Sequence, residues 1–273
     1  MNSVGVVQMT SGSEPLKNLA FIDIQLKQLA KEGVKLVLTP ENCIVFGSKE
    51  DYLSHAETLG SGVVQDQLSA MAKRYKLWIV IGSMPIIRGK NISTTCLVIN
   101  STGELVAHYD KLHMFDADVE DKHGRYRESE IFQPGNQVVV VDTPVGRLGL
   151  AICYDIRFPH LFSELVSNGA QIISLPAAFT ATTGDAHWEV LLRARAIESQ
   201  CWFIASAQTG RHPCGRETWG HSMIISPWGK ITQQLSSEVG ALHEDIDHRV
   251  TQSVISNMPL QKHARFQSLL TSE

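Results

Sequence analysis

An α/β fold is what this sequence predicts, and three observations predict it. Short runs rich in Val, Ile and Leu alternate with amphipathic stretches of helical period. The alternation continues from the first residues to beyond residue 230. No Gly/Ser-rich linker or low-complexity tract interrupts it, so residues 1–273 read as one domain. At 43% hydrophobic residues, a chain of this length can bury a sizeable core.

The opening SVGVVQMT reads as a strand. Leu16, Leu19, Ala20, Ile24, Leu26, Leu29 and Ala30 then fall mostly at helical spacing over about residues 14–31, with Ser13 available as N-cap, and VKLVLTPEN follows as a second strand. VVQDQLSAMAKRYK is expected to be a helix and LWIVIGSMP a strand, while TCLVINSTGELVAHYDKL reads as a hairpin around a Thr-Gly turn. The polar stretch DADVEDKHGRYRESEIFQPGN is long and charged enough to be a functional loop. QVVVVDTPVGRLGLAICYD reads as two strands around a Pro-Val-Gly turn. After it come a helix over about 159–168, the strand QIISLPAAF, a helix over about 185–200 and the strand CWFIASAQT. HSMIISPWGKI and ALHEDID look like a closing hairpin. Periodicity leaves open whether the strands form two sheets packed face to face or one doubly wound sheet.

A formal net charge of −4 leaves no electrostatic footprint for nucleic acid or an anionic membrane surface, so small-molecule chemistry is the better default. The N-terminus lacks a basic segment followed by an apolar one, and the longest apolar runs, such as Val138 to Val141, fall far short of the roughly 20 residues of a membrane span. A soluble, cytoplasmic protein is expected. The five cysteines are an odd set without CxxC spacing, which argues against a disulfide framework and a cysteine-rich zinc site. Free cysteine is by default a small buried hydrophobe, so a catalytic one must be identified by its surroundings.

Three segments have such surroundings. In VKLVLTPENC a buried-type strand runs into Pro40 and Glu41, and ligands bind at the carboxyl ends of strands in α/β sheets. A carboxylate desolvated there is a competent base toward a thiol, although a solvated turn glutamate is the blander alternative. In HYDKLHMFD, Lys111 ends a strand among Tyr109, Leu112, Met114 and Phe115, where an ammonium can stabilise an oxyanion; a surface lysine paired with Asp110 or Asp116 is the alternative. In RLGLAICYDIRFPHLF, Cys153 ends an apolar strand just before a turn and the helix started by Pro159. Backbone N–H groups at such an elbow are expected to lower the thiol pKa and to hold an oxyanion.

TPEN, YDKLHMFD and CYDIRFP, in this order, resemble the three signature segments of the nitrilase-like carbon-nitrogen hydrolase superfamily. The resemblance runs from the first strand to about Gly229 and places the superfamily's Glu-Lys-Cys triad on Glu41, Lys111 and Cys153. RYRESEIFQPG is similar to the segment whose glutamate orients substrate and lysine, which places that role on Glu128. The resemblance implies a four-layer α-β-β-α sandwich and a homodimer, and the tail after about residue 250 is assigned as a segment able to reach the partner subunit. It also implies hydrolysis of a linear amide to a carboxylate and ammonia through an acyl-thioester, with no metal or organic cofactor, and with the Tyr154 backbone N–H helping Lys111 hold the oxyanion. DAHWEVLLRARAIESQCWFIASAQTGRH and RETWGHSMIISPWGK resemble the deaminated-glutathione amidases most, with the ω-amidases next and true nitrilases a further alternative; a catalytically inactive binding module is the reading from another class. The implied substrate is a small anionic amide, whose carboxylates Arg157, His187, Arg195, Arg211 or Arg216 can contact. Arg195 also reads as a packing or salt-bridging residue of its helix.

Overall fold

The structure is a computed structural model that describes residues 2–266 and residue 270. Two sheets account for most of the strands. The larger has the order Gly240–Asp245, Ser3–Gln8, Leu36–Leu38, Trp78–Arg88, Asn91–Ile99, Leu105–Asp110, with the short Glu57–Thr58 strand also pairing to Trp78–Arg88. The second has the order Ile231–Gln234, Met223–Ile225, Trp202–Ala207, Ile172–Ala177, Gly146–Leu150, Val140–Thr143.

Alternation of side chains explains the layering. In the first strand Val4 and Val6 point to one face and Val7 to the other; Leu36 and Leu38 likewise oppose Val37. The first set packs with Leu148, Leu150, Ile172 and Ile204 of the second sheet, so the sheets meet face to face. The second set, with Ile79 and Ile81, packs under Leu19, Ile22, Leu26 and Leu29 of the helix Pro15–Lys31 and Leu68 and Met71 of Val63–Tyr75. The helices Pro159–Ser167 and Ala181–Ser199 cover the far face of the second sheet through Phe162, Leu165, Trp188 and Leu192. This is the four-layer α-β-β-α sandwich. A doubly wound single sheet is excluded. The Ser206 hydroxyl donates to the Val7 carbonyl, and Gln8 accepts from the Ser222 N–H at 2.8 Å, which ties the sheets together.

Local expectations change in four places. The first helix starts at Pro15 and has no side-chain cap, because Pro15 itself supplies the starting φ and leaves Ser13 too far back. The helix expected from about residue 185 begins at Ala181, where the Thr180 hydroxyl accepts from the Thr183 N–H at 3.2 Å. The closing hairpin consists of Met223–Ile225 and Ile231–Gln234 alone; ALHEDID crosses to the larger sheet and pairs antiparallel with the first strand, Ser3 opposite Asp245. The polar 116–136 stretch is no bare loop, since Asp116–Asp118 and Arg125–Arg127 form a two-stranded ribbon followed by the 3₁₀ turn Glu128–Glu130. Beyond residue 250 the chain completes the helix His248–Asn257 and adds Leu260–His263, while residues 267–269 and 271–273 of the tail lie outside the described residues.

One glycine is required by close approach. A Cβ on Gly82 would collide with the carbonyl oxygens of Thr39 and Pro40 and come within 2.5 Å of the Pro176 side chain. Because Thr39 and Pro40 lead directly into Glu41, Gly82→Ala is expected to cost about 1–3 kcal/mol by overpacking and to lower turnover as well. Urea denaturation and kcat on the same preparation check this; unchanged values for both would show that the loop adapts freely.

Candidate active site

Each key side chain follows the end of a strand. Glu41 comes three residues after Leu36–Leu38, Lys111 directly follows Leu105–Asp110, and Cys153 begins the 3₁₀ turn Cys153–Arg157 after Gly146–Leu150. Two strands come from the larger sheet and one from the smaller, so the face-to-face packing is what makes the three side chains converge. Asn42, beside Glu41, has φ +55° and its N–H donates to Ser83 Oγ at 2.8 Å. The Glu41 carbonyl accepts from Gln208 Nε2 at 2.9 Å, which anchors the loop to the second sheet.

Lys111 is the hub. Its Nζ donates to Glu41 Oε1 at 2.8 Å and to both Glu128 oxygens at 2.9 and 2.8 Å, and only 1% of its side chain is exposed. Glu128 Oε2 also accepts the Phe115 N–H at 2.6 Å. Burial disfavours the ammonium, but the Glu128 and Glu41 carboxylates outweigh it and hold Lys111 well above the usual lysine range. Burial pushes the Glu128 carboxyl up against the opposing pull of Lys111.

Cys153 is 8% exposed and has φ +46°, a left-handed conformation that costs a non-glycine residue about 1 kcal/mol or more. Burial, and then the nearby Glu41 charge, hold its thiol well above the usual range; Lys111 and the Ala178 N–H pull the other way without prevailing. The expectation of a depressed thiol pKa is therefore corrected. The elbow's dipoles act on a sulfur that has lost its water and faces a carboxylate, and those two effects dominate. Glu41 lies within hydrogen-bonding reach of the sulfur, so the resting group is a thiol with its base in place.

Asp155 is a residue whose part sequence reasoning missed. It is fully buried, and it accepts from Tyr109 Oη at 2.7 Å, the Ile152 N–H at 2.8 Å and the His113 N–H at 3.2 Å, with His113 Nδ1 at 2.7 Å. Ile152 precedes Cys153 and Tyr109 and His113 flank Lys111, so one carboxylate fastens the cysteine turn to the lysine segment. Its position in CYDIR was the available signal: a carboxylate following an apolar strand by a few residues needs donors if buried.

The remaining predicted residues divide. Tyr154 and Arg157 line, with Phe115, Ala178, Phe179 and Thr183, a cavity of about 20 Å³ that opens onto Cys153. His187 does not line it; its Nδ1 accepts from the Arg157 guanidinium at 3.3 Å. Arg195 is corrected from a substrate contact to a structural residue. Its Nε donates to the Ile156 carbonyl and its Nη1 to Glu198, both at 2.8 Å, so its guanidinium braces the cysteine turn from behind. Arg211 is exposed on the Thr209–Arg211 strand.

A buried thiol, a carboxylate within its reach and an ammonium held by two carboxylates form a site for nucleophilic attack on a carbonyl-type carbon. The model of the carbon-nitrogen hydrolase family matches residues 3–255, and the chain belongs to that family, within the nitrilase superfamily. It is 50% identical to the deaminated glutathione amidase of Yersinia enterocolitica, covering 98% of this chain and 94% of that protein. It is 33% identical to the chloroplastic omega-amidase of Arabidopsis thaliana, over 96% and 72%. Nit3 of Saccharomyces cerevisiae, a solved structure described as a member of branch 10 of the nitrilase superfamily, superposes with a TM-score of 0.87 at 29% identity over 97% and 96%.

The state of the thiol and of Asp155 can be tested directly. Iodoacetamide is expected to label Cys153 slowly near neutral pH and faster as pH rises, because the thiolate must form against burial. Glu41→Gln, which removes the adjacent negative charge, should speed labelling at a given pH while cutting turnover by about 10²–10⁴-fold. Fast, pH-independent labelling of wild type near neutrality would contradict this picture. Asp155→Asn should lower kcat by about tenfold or more and cost about 1–3 kcal/mol of stability, through donors left facing an amide nitrogen; parallel kcat and denaturation measurements read both, and wild-type values would remove its positioning role.

Proposed function

We propose that this protein is a cysteine-dependent amidase that cuts a linear, anionic amide through an acyl-thioester, with deaminated glutathione as its substrate. The observation that carries the reading is the Glu41–Lys111–Glu128 cluster facing Cys153, in a chain half identical to an enzyme named for that substrate.

Glu41 takes the thiol proton as Cys153 attacks the amide carbon. Lys111, fixed by Glu128, and the Tyr154 N–H stabilise the developing oxyanion. The C–N bond then breaks, Glu41 returns the proton to the departing nitrogen, and the acyl group remains on sulfur. A water that loses its proton to Glu41 attacks the thioester and releases the carboxylate and the thiol. Ammonia is the product only from a primary amide. Both amides of deaminated glutathione are secondary, so the cut next to its oxo-acid half releases cysteinylglycine instead.

The narrow cavity at Cys153 suits a primary amide head, which keeps α-ketoglutaramate, the ω-amidase reading, as a second possibility. The protein is also read as a cytoplasmic homodimer formed by one domain. Supporting the dimer, Val190, Ile197 and Trp228 are exposed, and Trp228 adjoins Gly229, whose carbonyl accepts from Arg193 on the Ala181–Ser199 helix. In favour of a reducing compartment, all five cysteines are free, and no helix among the described residues is long and apolar enough to cross a membrane.

Both substrates yield α-ketoglutarate, so its formation from each, side by side, tests the reading. Rapid turnover of deaminated glutathione, abolished in Cys153→Ala, is expected. Preference for α-ketoglutaramate would move the specificity to the ω-amidase reading, and turnover of neither would overturn both.

A further inference from the structure

The cavity above Cys153, at about 20 Å³, has room for little more than one water-sized group. Anything larger than an amide head must therefore extend elsewhere. Beside it lies a second cavity of about 220 Å³, whose lining includes Asp121, Lys122, Tyr126, Thr182, Arg216 and Glu217. The two adjoin at the start of the Ala181–Ser199 helix. Thr180 and Thr183 line the first while Ala181 and Thr182 line the second, and Phe115 of the first lies 5.2 Å, centroid to centroid, from Tyr126 of the second.

Arg216 is the feature that defines what this second cavity takes. Its guanidinium lies 4.6 Å from the centre of the Phe46 ring and 5.2 Å from that of Tyr126, so its plane is held by aromatic faces rather than by carboxylates. It is half-buried, and among the described residues it makes no ion pair. The neighbouring acids are already engaged. Asp121 accepts from Tyr126 Oη at 2.8 Å and from the His123 and Gly124 N–H groups at 2.9 and 2.8 Å, and Glu217 pairs with Lys122 at 3.6 Å. A half-buried cation that touches Tyr126 and Phe46 but has no carboxylate partner among the described residues, at the wall of a polar cavity, is suited to a carboxylate, which a guanidinium grips with two parallel hydrogen bonds.

We infer that this cavity is a second substrate subsite, in which Arg216 binds the terminal carboxylate of an extended, peptide-like leaving group whose amide lies at Cys153. Phe115, which lines the cavity at Cys153, lies 5.2 Å from Tyr126, and Tyr126 lies 5.2 Å from the Arg216 guanidinium, so the path between the cavities is of the length that a tail of two or three residues covers at about 3.3–3.6 Å per residue. The volume fits a fragment of that size, since whole drug-sized ligands need about 300–1,000 Å³. The inference rests on the amidase reading and adds to it a preference for long amides ending in a carboxylate over short ones.

The test uses full-length Cys153→Ala protein, which binds without turning over, titrated calorimetrically with deaminated glutathione and with its C-terminal carboxamide. The free carboxylate should bind about tenfold tighter or more. Adding Arg216→Gln should close that gap, and Arg216→Lys should restore part of it; the melting temperature of each variant shows that it is folded. An equal affinity for the two forms, a gap that survives Arg216→Gln, or no binding of either form would overturn the subsite. Wild-type turnover, followed separately, reports on the substrate assignment: a gap governed by Arg216 without turnover of deaminated glutathione would leave the subsite standing and remove that substrate.

Discussion

A single buried ammonium organises this molecule's chemistry. Lys111 sits almost fully out of water between two carboxylates, and neither partner is dispensable on physical grounds. Breaking such a buried cluster from one side leaves an uncompensated charge and costs about 3–5 kcal/mol. The cluster therefore fixes more than the lysine. It draws the Glu41 loop of one strand and the Glu128 turn of the polar ribbon to the same point, and it leaves net negative charge beside the thiol of Cys153.

That charge explains why Cys153 rests as a thiol. Lys111 favours a thiolate, but burial and Glu41 oppose it more strongly, so ionisation waits for a reaction that uses the proton. The left-handed backbone at Cys153 holds the sulfur at the mouth of a narrow cavity, and Asp155 and Arg195 fasten the same turn from two sides. The turn is thus braced from both sides, and a wider, more polar cavity lies beside the narrow one.

Much of this was legible in the sequence. Glu41, Lys111 and Cys153 each stand where an apolar strand stops and polar residues begin, and that contrast marks the chemical end of a strand. The four layers were legible only through the superfamily resemblance, because alternation along a strand tells which residues share a face and not what that face meets. The same limit misplaced ALHEDID, whose partner is the first strand, more than 230 residues away. Arg195 looked like a substrate contact because a helix pattern does not show that a carbonyl of a distant turn lies behind it. The thiol was misjudged for a related reason: backbone dipoles can be anticipated from an elbow motif, whereas desolvation depends on everything packed around it.

The most direct test of the central claim is rapid-quench mass spectrometry of the enzyme mixed with its amide substrate, in wild type and Glu41→Gln. The account predicts an acyl adduct on the peptide containing Cys153, with the mass of the oxo-acid half, decaying in wild type as product forms and hydrolysed more slowly in Glu41→Gln. Product formation with no adduct on Cys153, or an adduct on another residue, would contradict it.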